Sequence, residues 1–162
     1  MVQLYDKSGR AVTVSSTDTV TLSANVQGAT TFMMVPCRAL STVPDSLRRR
    51  CVSLMDANRA GWYMRRAGYY FLLDSENRTN DLPLFQADSS FFLHTNTFYS
   101  GYYALESVNL PDYYIKPHVN GRLKIALITK SANYYDTASF RIYNNGSSEY
   151  GLIDCLLHGV QS

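Results

Sequence analysis

The sequence predicts an all-β fold, a β-trefoil built from three imperfect repeats of about fifty residues, the unit length of many repeat architectures. Three observations carry this reading. The chain repeats itself: Ser53-Leu54 answers Ala104-Leu105, Asn58 answers Asn109, and Trp62-Tyr63-Met64-Arg65 answers Tyr113-Tyr114-Ile115-Lys116. The second half of the unit repeats too, Tyr70 to Leu73 matching Arg122 to Ile125 and Asp88-Ser89-Ser90-Phe91 matching Thr137-Ala138-Ser139-Phe140. Within each copy, turn signals recur about every ten residues between short apolar runs, which gives four strands a copy. Threefold repetition favours the trefoil; a two-sheet sandwich is the alternative, because periodicity defines strands better than their arrangement.

The copies span about 1–50, 51–102 and 103–150, with Tyr150 to Leu157 reading as a closing strand in the final stretch, 150–162. They form one domain, long enough to bury a core without staples. In the first copy Ala11 to Ser23 reads as two Val/Thr strands joined by a Ser-Ser-Thr-Asp turn, and Phe32 to Val35 as a buried strand stopped by Pro36. The connection from Cys37 to Arg50 carries a turn or two of helix, with Asp45 or Ser46 as its cap. Each copy closes through a polar loop and a Phe-containing strand, and the loop Ser75 to Asp81 reads as exposed throughout. One core is expected from the repeated apolar positions Leu22, Leu72 and Leu123 together with Phe32, Phe91 and Phe140.

The run Leu105-Glu106-Ser107-Val108-Asn109-Leu110-Pro111-Asp112-Tyr113-Tyr114-Ile115, followed downstream by Asp136-Thr137-Ala138-Ser139-Phe140, resembles the AbfB domain, the carbohydrate-binding module of family 42. Its repeat reads approximately S-F-x-S-x-N-Y-P-G-R-Y-L-R-H, then D-A-S/T-F. The third copy matches well, the second fairly and the first poorly. The resemblance implies a β-trefoil whose pockets accept an arabinofuranose branch, lined by the His and Asp of those motifs. A carboxylate and an imidazole together offer acceptors and a donor to neighbouring sugar hydroxyls.

No copy keeps that pair in register. In the second copy Asp88 stands at the Asp position and Arg66 at the His position; in the third, Pro117 takes the His position beside His118, and Asp136 precedes Thr137 at the Asp position. The first copy has Ala29. A slip of one residue turns a side chain to the other face, so His118 and Asp136 meet only if bulges reset them. The candidate ligand-binding residues are accordingly Asp88, Arg66, Asn109, Tyr113, His118 and Asp136, with the second copy favoured unless Arg66 folds onto Asp88 and fills the pocket.

Composition bounds the function. The 162 residues are 46% hydrophobic and 13% aromatic with thirteen tyrosines, yet no apolar run approaches the roughly eighteen that a membrane span needs. Nucleophile elbows, metalloprotease motifs and phosphate loops are absent, and His94, His118 and His158 are scattered, so the reading is non-enzymatic, with no metal and no cofactor. Between Arg38 and Arg66 lie seven of the fifteen Lys/Arg against Asp45 and Asp56. The exposed run Arg48, Arg49 and Arg50 is a candidate patch for an anionic partner, weighed against an ordinary solvated face. Nucleic acid is disfavoured, since no recognition motif accompanies the arginines. Cys37, Cys51 and Cys155 allow either a Cys37 to Cys51 disulfide across one loop or three buried thiols. Met1 leads directly into strand-like sequence without a signal peptide, which leaves the compartment open; a secreted or extracellular setting is favoured, where the sequons at Asn77 and Asn145 permit glycosylation. Two functions follow: a non-catalytic module binding a glycan or polysaccharide, or a degenerate trefoil serving as a protein-interaction or structural module.

Overall fold

The computed structural model describes residues 1–144. The proposed closing strand at 150–162, Asn145, Cys155 and His158 lie outside the described residues. The first copy supplies β1 (Val2–Asp6), β2 (Ala11–Val14), β3 (Val20–Ser23) and β4 (Phe32–Pro36). The second supplies β5 (Cys51–Asp56), β6 (Trp62–Ala67), β7 (Tyr70–Ser75) and β8 (Phe91–Thr95). The third supplies β9 (Tyr103–Ser107), β10 (Tyr113–Pro117), β11 (Leu123–Leu127) and β12 (Phe140–Asn144).

The first and fourth strands of each copy close into a barrel. Antiparallel pairings run round the circle β1, β4, β5, β8, β9, β12 and back to β1. The remaining strands form hairpins β2–β3, β6–β7 and β10–β11. These meet at one end of the barrel through three equivalent backbone bonds: the N–H groups of Leu22, Leu73 and Ile125 donate to the carbonyls of Gly121, Asp18 and Tyr69, each at 2.8 Å. A six-stranded barrel capped by a triangle of hairpins is a β-trefoil.

The threefold repeat is visible in the core. Leu4, Leu54 and Leu105, then Val20, Phe71 and Leu123, then Leu22, Leu73 and Ile125, and finally Phe32, Phe91 and Phe140 fill it in layers, every one at most 8% exposed. Alternation makes this possible, as in Val2–Asp6, where Val2, Leu4 and Asp6 point inward and Gln3 and Tyr5 outward. Leu72 corrects the expected register: it is only half-buried, while Phe71 and Leu73 on either side are the core residues. Matching Tyr70 to Leu73 with Arg122 to Ile125 places Phe71 opposite Leu123, and the neighbour one step along must face outward.

The polar loops before the closing strands also differ from expectation. The segment Leu82–Asp88 is a helix, α1, whose first turn contains Pro83 and whose cap is Asp81, accepting from the Leu84 N–H at 3.1 Å. Ala132–Thr137 is a second, α2, capped by Ser131 accepting from the Tyr134 N–H at 3.2 Å. Each buries one aromatic ring against the hairpin of its own copy, Phe85 against Tyr63 and Tyr134 with its hydroxyl donating to the Ala126 carbonyl at 2.6 Å. The loop from Ser75 is not exposed throughout, because Ser75 is buried and Glu76 pairs with Arg38 at 2.7 Å.

The connection between the first two copies contains the 3-10 turn Asp45–Arg50, preceded by Pro44 with no side-chain cap. Of the two readings left open for the cysteines, the structure shows the Cys37–Cys51 disulfide, whose partners are fourteen residues apart and packed with Val43. Constraining a loop of this length in the unfolded chain contributes about 3 kcal/mol. Replacing both cysteines with alanine should therefore lower the unfolding free energy by about 2–4 kcal/mol in urea titration. A change below about 0.5 kcal/mol would mean the loop is held by its packing alone.

Candidate functional site

In the second copy Asp88 ends α1 beneath β6 and is 5% exposed. One carboxylate oxygen, Oδ2, accepts from Arg65 Nη2 at 2.6 Å. The other, Oδ1, accepts from Asn109 Nδ2 at 2.8 Å and lies 3.5 Å from Arg66 Nη2. Arg66 Nε donates in turn to Asn109 Oδ1 at 3.1 Å, as does the Ser107 hydroxyl at 2.9 Å. Three of the sequence-derived site residues, Asp88, Arg66 and Asn109, thus converge from three separate elements. They bond to one another, to Arg65 and, through Arg66 Nη1, to the Gly68 carbonyl at 3.0 Å, and the pocket position holds guanidinium groups. Arg65, not foreseen as a site residue, makes the shortest of these contacts and also reaches Asp74 at 3.3 Å. Its signal was present, because it occupies the Arg of the repeated Tyr-x-Arg/Lys pattern.

The third copy is arranged differently. The ladder between β10 and β11 runs regularly from Tyr113 opposite Leu127 to Pro117 opposite Leu123, with no bulge to re-aim His118. His118 therefore lies against the Tyr70 ring, 5.7 Å between centroids, and its Nδ1 accepts from the Asn120 N–H at 3.4 Å. Tyr113 stacks on the exposed Tyr69 ring at 6.1 Å. Asp136, on α2, faces elsewhere. It is half exposed, 3.5 Å from Lys7 Nζ, and its charge beside the Tyr99 phenol holds that phenol above its ordinary pKa range.

Asp136 lines an open cleft of about 330 Å³ with Thr137, Asp6, Lys7, Ser8 and Arg10. This is the threefold image of the Asp88 cluster. Thr137 stands where Asp88 stands, and Ser8 where Asn109 stands, each two residues beyond the equivalent turn positions Asp6 and Ser107. The residues equivalent to Arg65 and Arg66, Lys116 and Pro117, do not line it. The Thr137 hydroxyl turns back onto the Asn133 and Tyr134 carbonyls. Asp6 is consumed by the β1–β2 turn, accepting from Ser8 Oγ at 2.8 Å, the Arg10 N–H at 2.8 Å and Arg10 Nε at 2.9 Å. Asp136 is the carboxylate presented to the cleft.

On the far side of Lys7 a larger groove of about 570 Å³ runs over β1 and β12, lined by Gln3, Tyr5, Arg141 and Tyr143. The Lys7 ammonium sits 3.7 Å above the Tyr99 ring, a cation–π contact that orients it between the two cavities. Sequence reasoning missed Lys7, Ser8, Arg10 and Tyr99 because the cleft joins the first copy's opening turn to the third copy's helix. No local motif records that contact.

Arg48 is held by Asp45 at 3.1 Å, while Arg49 and Arg50 are exposed and make no ion pair among the described residues. Among the described residues no group of three His, Cys, Asp or Glu could hold a metal ion, and no helix is long and apolar enough to cross a membrane.

The solved structures most like this fold include an arabinofuranosidase complexed with arabinofuranosyl-alpha-1,2-xylobiose, with a TM-score of 0.67 at 19% identity over 91% of this chain and 31% of that one. A GH54 α-L-arabinofuranosidase soaked with a cyclic sulfate inhibitor gives the same TM-score of 0.67 at 19% identity, over 90% of this chain and 31% of that chain. The Haemophilus ducreyi cytolethal distending toxin aligns with a TM-score of 0.60 at 12% identity, over 86% and 80% of the two chains. The chain thus spans less than a third of those arabinofuranosidases. No curated protein sequence matches it. The family model of the alpha-L-arabinofuranosidase B (ABFB) domain matches residues 6–142. With that match running from the end of β1 into β12, through all three copies, the chain belongs to the ABFB domain family.

Proposed function

We propose that this domain is a non-catalytic glycan-binding module and that its working site is the Asp136 cleft. The observation that carries the reading is the contrast between two equivalent positions: the Asp88 pocket is filled by Arg65, Arg66 and Asn109, whereas the Asp136 cleft is open. An exposed pair such as Asp136 with Lys7 is worth only about 0–1 kcal/mol, so a sugar hydroxyl displaces it at small cost. The carboxylate then accepts from adjacent hydroxyls, Lys7 donates to a sugar oxygen, and the Ser8 hydroxyl, whose proton goes to Asp6, accepts from a sugar hydroxyl. Tyrosines along the neighbouring groove offer flat apolar faces to further residues of the chain. Arabinofuranosyl-bearing oligosaccharides are the ligand class that family membership points to.

Glycosidic hydrolysis needs two functional carboxylates across the bond. Asp6 is the second carboxylate of the cleft, but both of its oxygens are held by Arg10. It is unsuited to act as acid or nucleophile, which supports a binding role.

Replacing Asp136 with alanine removes an exposed side chain and should leave stability within about 0.5 kcal/mol. In calorimetric titration with an arabinofuranosyl xylo-oligosaccharide it should weaken binding about tenfold or more, the worth of one charge-assisted hydrogen bond. Equal affinity of wild type and variant places binding outside this cleft. Absence of binding by the wild type favours the interaction-module reading instead, for which the closed Asp88 pocket is the supporting observation.

A further inference from the structure

Arg65 of the second copy is neutralised twice, by Asp74 and by Asp88. Its counterpart in the third copy is Lys116, and both carboxylates have been replaced there: Ala126 stands at the position of Asp74 and Thr137 at that of Asp88. The residue directly across the ladder from Lys116 is a second cation, Lys124. Cross-strand partners have their Cβ atoms about 5 Å apart, so like charges there repel.

A third cation, Arg122, packs on the same ring as Lys124. Lys124 Nζ lies 5.9 Å and Arg122 Cζ 4.7 Å from the Tyr70 ring centroid, with His118 against the same ring. Lys116, Lys124 and Arg122 make no ion pair among the described residues, and Arg122 Nε is a buried donor with no hydrogen-bond partner. The carboxylates of the flanking strands are engaged elsewhere, Asp74 by Arg65 and Ser75, Glu106 by His94 and the Asp112 N–H. Burial, and then the adjacent Lys124 ammonium, hold the Lys116 amine below its ordinary range. A half-buried cation cluster stripped of its counter-charges, beside an orphaned donor, is stabilised by an anion from outside.

We propose that the outer face of the β10–β11 hairpin, through Lys116, Lys124 and Arg122, binds the anionic substituent of an acidic glycan, a carboxylate or a sulfate. This rests on the glycan-binding reading above and sharpens it. The Lys116 ammonium lies over the Tyr134 ring of α2, the helix that also carries Asp136. α2 therefore carries both Asp136, which lines the cleft, and Tyr134, whose ring lies under the Lys116 ammonium.

The test compares a neutral arabinofuranosyl xylo-oligosaccharide with the same backbone bearing a glucuronate, titrated into wild type and a Lys116→Gln/Lys124→Gln variant. The expected result is a preference of about tenfold for the acidic ligand in wild type. That preference falls as salt rises and disappears in the variant, while affinity for the neutral ligand is unchanged. A second probe needs no glycan: inorganic sulfate should shift the Lys116 and Lys124 side-chain resonances in NMR titration, with sodium chloride at equal ionic strength as control. No acidic preference, a preference that survives in the variant, or no sulfate-specific shift each overturns the proposal. Loss of neutral-ligand binding with the sulfate response intact removes the Asp136 reading alone.

Discussion

Replacing Phe140 with alanine lowers the unfolding free energy by about 3–5 kcal/mol. Phe140 is fully buried, opposite Asp6 on one side of β12 and Tyr103 on the other, and its equivalents Phe32 and Phe91 are buried to the same degree. The three rings belong to one cluster at the barrel centre, so the void left by truncation is bordered by side chains already committed to their own copies. Collapse is limited, and the cavity term adds to the lost transfer energy. Urea denaturation should show the midpoint fall with the slope unchanged. The register itself is tested by a second pair: Phe71→Ala should lose several kcal/mol and Leu72→Ala about 1 kcal/mol or less. If Leu72→Ala proves as damaging as Phe71→Ala, the assignment of inward positions on β7 is wrong.

Asp88→Ala is expected to be nearly as costly, about 3–5 kcal/mol. The mutation removes the carboxylate that faces Arg65 and Arg66, both with side chains 15% exposed, and leaves Arg65 with Asp74 alone. Asn109 loses its acceptor at the same time. A buried cation stripped of its partner is penalised by desolvation more than the pair was worth. Asn109→Ala, which leaves the ion pair intact, should cost about 1–2 kcal/mol. Thermal melting of the two variants checks the ranking, and equal losses would show that the Arg65–Asp88 pair is not the principal contact. Because Asp88→Ala perturbs folding, any effect it has on ligand binding is indirect.

The repeated motifs made the fold legible, since strand-length apolar runs and turn residues recur at the same intervals in each copy. They also brought Asp88, Arg66 and Asn109 to notice before their contact was visible, and the possibility that Arg66 closes the pocket was readable from its long side chain. The helices α1 and α2 were hidden because their caps, Asp81 and Ser131, lie in stretches whose polar composition reads equally well as loop. Leu72 was misplaced because one residue of register decides which face a side chain occupies. The Asp136 cleft was illegible for a different reason: half of it comes from the opening turn of the least similar copy, joined by barrel closure and by no feature of local sequence.

A working site at the Asp136 cleft is tested most directly by one calorimetric titration of an arabinofuranosyl xylo-oligosaccharide into wild type, Asp136→Ala and Asn109→Ala. Such a site predicts saturable binding by the wild type, loss of about tenfold or more in Asp136→Ala without loss of stability, and near-wild-type affinity in Asn109→Ala. Binding that survives in Asp136→Ala and disappears in Asn109→Ala would contradict it, because the closed cluster around Asp88 would then be the site that opens to ligand.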